Sequence, residues 1–116
     1  MDIEIDLYSG RRNPVFGLAP EAGEELMRRI SALPAAPPGS APPQGLGYRG
    51  LRITGGPADG VEEIVVSGGV VAVRDRDGGQ RVLQDAGRAL ERSLAAHAAA
   101  HLSPAELSLL RQELEG

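Results

Sequence analysis

Three groups of residues in this chain have the types and spacing to do chemistry. His97 and His101 stand one helical turn apart in HAAAH, a spacing at which two imidazole nitrogens can meet one metal ion. Asp2, Glu4 and Asp6 alternate along DIEID, which puts three carboxylates on one face of a strand about 6.6 Å apart, as acid–base work or a hard cation would need. Arg11 and Arg12 are adjacent in YSGRRNP, where two guanidinium forks beside turn N–H groups suit a carboxylate or a phosphate.

Each group also has an ordinary structural reading. The histidines continue a line through Leu90 and Leu94, so they are expected to face the sheet or the last helix, partly buried, with Glu106 or Glu113 as the only nearby candidates for a third ligand. Only alanines separate them, so the general base of an H-E-x-x-H metalloprotease is missing. The acidic strand face is expected to meet Arg52, Arg74 and Arg76 on neighbouring strands, a charge ladder that completes a solvated sheet surface. In YSGRRNP, Gly10, Asn13 and Pro14 are turn residues, and the arginines can pair with Glu4 and Asp6. The hairpin is still the foremost binding candidate, because loops on a rigid scaffold are where binding concentrates. The candidate ligand- or partner-binding set is Ser9, Arg11, Arg12, Asn13, Tyr48 and Arg52, and the candidate metal pair is His97 and His101.

Much else is excluded. The chain has no cysteine, which removes disulfides, thiolate metal sites and cysteine nucleophiles, and no lysine, which removes Schiff-base chemistry. No serine sits in a G-x-S-x-G elbow. GLGYRG at 45–50 fits G-x-G-x-x-G, but a Pro-rich stretch precedes it and a strand pattern follows, the reverse of a dinucleotide site. DRDGG at 75–79 lacks the further acidic positions of a calcium loop and reads as a turn. A net charge of −4 and three aromatic residues argue against nucleic acid, and no apolar run is long enough to span a bilayer. No cofactor is implied, and these absences favour a non-enzymatic protein. The opening MDIEIDL has the pattern of an acidic strand and not of a leader, so a cytoplasmic setting is expected. The Ala-, Gly- and Arg-rich composition suggests a GC-rich bacterial genome.

The elements that must position these groups follow from periodicity. Residues 2–8 and 15–18 read as paired strands, and 20–32 as a helix with Pro20 in its first turn and Leu26, Met27, Ile30 and Leu33 on one stripe. Residues 34–47 hold five of the nine prolines and read as a flexible loop. Strands are expected at 48–54, 61–67 and 70–76 and, more briefly, at 81–83, followed by a helix over 86–101 started by Asp85. Ser103 and Glu106 form a capping box for a last helix that buries Leu107, Leu110 and Leu114. The expected fold is one α+β domain over 1–116: an antiparallel sheet of four to six strands, with three helices packed mainly on one face.

Residues 2–21 resemble a family of small uncharacterised bacterial proteins that pair an N-terminal strand with S-G-R-P-N-P and an L-S-P-E helix start. Ser9, Gly10, Arg11, Asn13, Pro14, Leu18, Pro20 and Glu21 match, while Arg12 replaces the proline and Ala19 the capping serine. The resemblance implies a shared small fold. The functional expectation is an accessory or regulatory module that binds a protein or peptide partner. The alternatives are an anion held by Arg11 and Arg12, or a metal at His97 and His101. A sheet face left uncovered by helices would suggest a homodimer.

Overall fold

The computed structural model describes residues 1–6, 13–40, 50–54 and 61–115. Ile3 and Ile5, alternating with acidic residues, build the first strand, β1 (Asp2–Ile5), and both isoleucines are fully buried. The chain returns as β2 (Val15–Gly17) and enters α1 (Pro20–Ser31). Pro20 occupies the first helical turn, where its missing N–H is not needed, and Leu26 and Ile30 face inward. Four strands follow, β3 (Leu51–Thr54), β4 (Val61–Ser67), β5 (Val70–Asp75) and β6 (Gln80–Gln84), and then α2 (Ala89–Ala98) and α3 (Pro104–Glu115).

The six strands form one open, antiparallel sheet in the order β2-β1-β3-β4-β5-β6. β1 lies between β2 and β3, so α1 carries the chain across it, a split β-α-β arrangement, and the other strands meander. The β4–β5 connection is two glycines, Gly68 and Gly69, with φ of 60° and 87°, the positive values a two-residue hairpin requires. Gly50 has φ of 103°, and a Cβ on it would sit 2.5 Å from Ser67 Cβ and from the Val66 carbonyl. Only glycine lets β3 begin this close to the end of β4.

One face of the sheet carries the core. Ile3, Ile5, Leu51, Ile53, Ile64 and Val66 join Val71, Val73 and Phe16 in a buried cluster. All three helices pack into it, through Leu26 and Ile30, through Leu90, Leu94 and Ala98, and through Leu110 and Leu114. The α+β architecture with helices on one face agrees with the sequence. No helix of the described residues is long and apolar enough to cross a membrane.

Three local expectations need correction. The helix read over 86–101 is a 3-10 turn at Ala86–Arg88, then α2, then a second 3-10 turn at Ala99–His101; Gly87 and Arg88 adopt left-handed φ of 64° and 57°, which no continuous helix allows. The Pro-rich stretch is not free at its start. Gln84 N–H donates to the Pro34 carbonyl at 2.8 Å and Ala36 N–H to the Val82 carbonyl at 2.9 Å, so residues 34–36 lie along the β6 edge; 41–47 fall outside the described residues. Arg76 is not in a strand. It sits in the β5–β6 turn, where Gly79 N–H donates to Asp77 Oδ1.

Candidate functional site

The face of the sheet turned away from the helices carries the acidic stripe read from the sequence. Because β1 alternates, Asp2, Glu4 and Asp6 point opposite to Ile3 and Ile5, onto this face. The strand registers then align Val15, Glu4, Arg52, Val65, Ala72 and Val82 in one row across all six strands. Two residues of this row, Glu4 and Arg52, are charged and the other four are aliphatic, and Val65, Ala72 and Val82 are half-buried. The next row carries Glu63 opposite Arg74.

Two of the predicted site residues meet here. Asn13 Nδ2 donates to Glu4 Oε2 at 2.8 Å and to Asp6 Oδ1 at 3.3 Å, bridging the two carboxylates from the base of the first hairpin. The Arg52 guanidinium lies 3.9 Å from Glu4, 3.8 Å from Asp6 and 3.4 Å from Glu63. Arg74 pairs with Glu62 at 3.4 Å and with Glu63 at 3.1 Å. The ladder therefore sets four carboxylates against two guanidinium groups. Arg52 is shared among three acids and has no spare charge for an anion; the local field favours a basic or donor-bearing partner group. The arginine side chains of these pairs are 41–45 % exposed, so the pairs add little to stability. Ser9, Arg11, Arg12 and Tyr48, with the tip of YSGRRNP and most of GLGYRG, lie outside the described residues.

The histidines are placed differently from the sequence expectation. The buried line of α2 runs Leu90, Leu94, Ala98, one residue past His97, so His97 and His101 are exposed. Both rings lie over Phe16 of the edge strand, at centroid separations of 6.1 Å and 4.7 Å. They cover the outer side of an aromatic core residue that is only 6 % exposed. No group of three His, Asp or Glu side chains able to hold a metal occurs among the described residues. Glu106 is engaged elsewhere, accepting from Ser103 N–H at 2.9 Å while its own N–H donates to Ser103 Oγ at 3.2 Å, the capping box expected from the sequence.

Asp85, expected to start the helix over 86–101, belongs to a buried polar cluster whose other members, Glu91 and Arg88, sequence reasoning missed. Asp85 is 2 % exposed, and its two oxygens accept from Leu90 N–H at 2.9 Å and Glu91 N–H at 3.1 Å. Glu91 is fully buried; its Oε1 accepts from Gly68 N–H and Arg88 Nε, both at 2.9 Å, and its Oε2 from Arg88 Nη2 at 3.0 Å. The cluster ties the β4–β5 turn to α2. It is fully occupied by its own hydrogen bonds, which suits it to holding elements together and not to chemistry.

Between α2 and α3 runs a groove of about 240 Å³ lined by alanines and leucines, with Arg92 and Arg111 at its rim. A smaller cleft of about 170 Å³ lies between α1 and α2, where Arg29 Nη1 donates to Ser93 Oγ at 2.9 Å. Set beside known proteins, the chain matches no protein-family model, no curated protein and no solved structure.

Proposed function

We propose that the protein is a non-enzymatic accessory or regulatory module of the cytoplasm that binds a protein or peptide partner on the uncovered face of its sheet. The observation that carries this reading is the cross-strand row in which Glu4 and Arg52 adjoin half-buried Val65, Ala72 and Val82, on a face that none of the described helices covers. An aliphatic strip beside an ordered charge array has the composition of an interface, apolar at its centre and polar at its rim. The excess of carboxylates over guanidinium groups in that array supports a partner segment bearing arginine or lysine. Nucleic acid, a polyanion, is disfavoured by the same charges.

Selection from a displayed random peptide library tests the proposal. Enriched peptides should be basic, and their binding should weaken by about tenfold or more in Ala72→Arg, while the thermal midpoint of that variant stays near the parent's. Glu63→Gln should weaken it by a smaller factor. Failure to enrich any peptide, or binding that survives both substitutions, overturns the reading.

A further inference from the structure

The groove between α2 and α3 owes its existence to a mismatch of side-chain length. α2 and the 3-10 turn after it offer Ala95, Ala96 and Ala99 where α3 offers Leu107, Leu110 and Leu114, and single methyl groups do not fill the space between the two backbones. The floor is dry: Ala95, Leu110 and Leu114 are each at most 8 % exposed. At about 240 Å³ the space falls below the roughly 300–1,000 Å³ of sites that enclose a whole small ligand, and it suits two or so side chains of a partner.

Charge narrows the occupant further. Arg28, Arg52, Arg74, Arg81 and Arg88 each have a carboxylate partner. Arg29, Arg76, Arg92 and Arg111 have none among the described residues, and the last two stand together at the groove rim. Arg92 donates only to carbonyls, of Leu114 at 3.0 Å and Gly87 at 3.4 Å, and Arg111 makes no ion pair or hydrogen bond among the described residues. In a chain with sixteen acidic and twelve basic side chains, an apolar groove is thus edged by one guanidinium from each helix that has no carboxylate partner among the described residues.

We infer that this groove docks an acidic amphipathic helix of a partner protein, with apolar side chains one turn apart seated against Ala95 and Leu110 and with glutamate or aspartate reaching Arg92 and Arg111. The mode is helix-in-groove, read through anchors at i and i+3 or i+4. It is a second surface, on the opposite side of the molecule from the basic-partner face, and does not depend on it.

The probe is a synthetic helical peptide of about four turns carrying leucines one turn apart between glutamates, compared with its lysine-for-glutamate counterpart and with dodecanoate. The glutamate peptide should shift the methyl resonances of Ala96, Ala99 and Leu107 and bind less tightly as salt rises. Its affinity should fall about tenfold in Arg111→Glu and less in Arg111→Gln, with the thermal midpoint unchanged because Arg111 has no partner among the described residues to lose. Ala72→Arg, on the sheet, should leave it unaltered, so the two surfaces can fail separately. No methyl shift at millimolar peptide, equal binding of the lysine peptide, or shifts produced by dodecanoate alone would overturn the inference.

Discussion

Glu91 is the residue on which the largest single stability effect should fall. Its carboxylate is fully buried and receives three hydrogen bonds, two from Arg88 and one from Gly68 N–H. A buried pair is expensive to break from one side, because the surviving partner keeps its desolvation cost without its counter-charge. Glu91→Ala is expected to lower the unfolding free energy by about 3 kcal/mol, with the Gly68 N–H and the Arg88 guanidinium both left short of an acceptor. Glu91→Gln preserves one acceptor oxygen and the side-chain volume and should cost less. Urea denaturation of the two variants supplies the comparison. Equal losses would mean that the retained volume and single acceptor count for nothing and that the charged carboxylate is what this position needs.

At the scale of elements, the two helix starts make opposite uses of the same chemistry. α3 begins with a local capping box, Ser103 with Glu106, on an exposed turn. α2 has no cap at its own N-cap residue, Arg88; the acceptors come from Asp85, held in place because its N–H donates to the Gly69 carbonyl at 2.8 Å. Ser103→Ala should cost about 1 kcal/mol, the usual value of an exposed cap. Asp85→Asn should cost more, on the order of 2 kcal/mol, because an amide offers one acceptor where two buried N–H groups need one each. Thermal unfolding of both variants checks the order, and a harmless Asp85→Asn would show that α2 starts without it. The contrast explains what the sequence reveals. A capping box is written in adjacent residues, as are the hairpin glycines and the alternation of β1 and β5, so these elements are legible. The start of α2 is not, because Asp85 precedes the helix like an ordinary cap and only the left-handed Gly87 and Arg88 displace the helix by three residues. Glu91 was detectable in principle: it lies four residues before Ala95 and seven before Ala98, within the buried stripe. The site shows the same division. The acidic stripe of β1 was legible from period two, and Arg52 meets it as expected, whereas Arg74 pairs instead with Glu62 and Glu63 of β4. The role of Asn13 was not legible, because a bridge from position 13 to two carboxylates of β1 is a contact between side chains that spacing does not specify.

For the whole molecule, the sheet has one covered face, one uncovered face and two unequal edges. The β6 edge is partly occupied by residues 34–36 of the same chain. On the other side, Ile5 N–H donates to the Pro14 carbonyl and Leu18 N–H to the Met1 carbonyl, so the rungs between β1 and β2 fall at odd positions of β1. By the alternation of an antiparallel ladder, the amides of Val15 and Gly17 then turn away from the sheet. Val15 is also 60 % exposed, the most exposed large aliphatic side chain among the described residues. An edge of this kind is a template for another strand, but three residues make a short one, and short edges are a recognised defence against pairing. The protein is therefore expected to be a monomer at this edge. Amide hydrogen exchange tests it: Val15 and Gly17 should exchange orders of magnitude faster than Ile3 and Ile53, which lie inside the ladder. Protection of Val15 and Gly17 to the level of Ile3, growing with protein concentration and accompanied by a doubling of mass in sedimentation, would show instead that two copies join β2 to β2 and extend the sheet across a dimer.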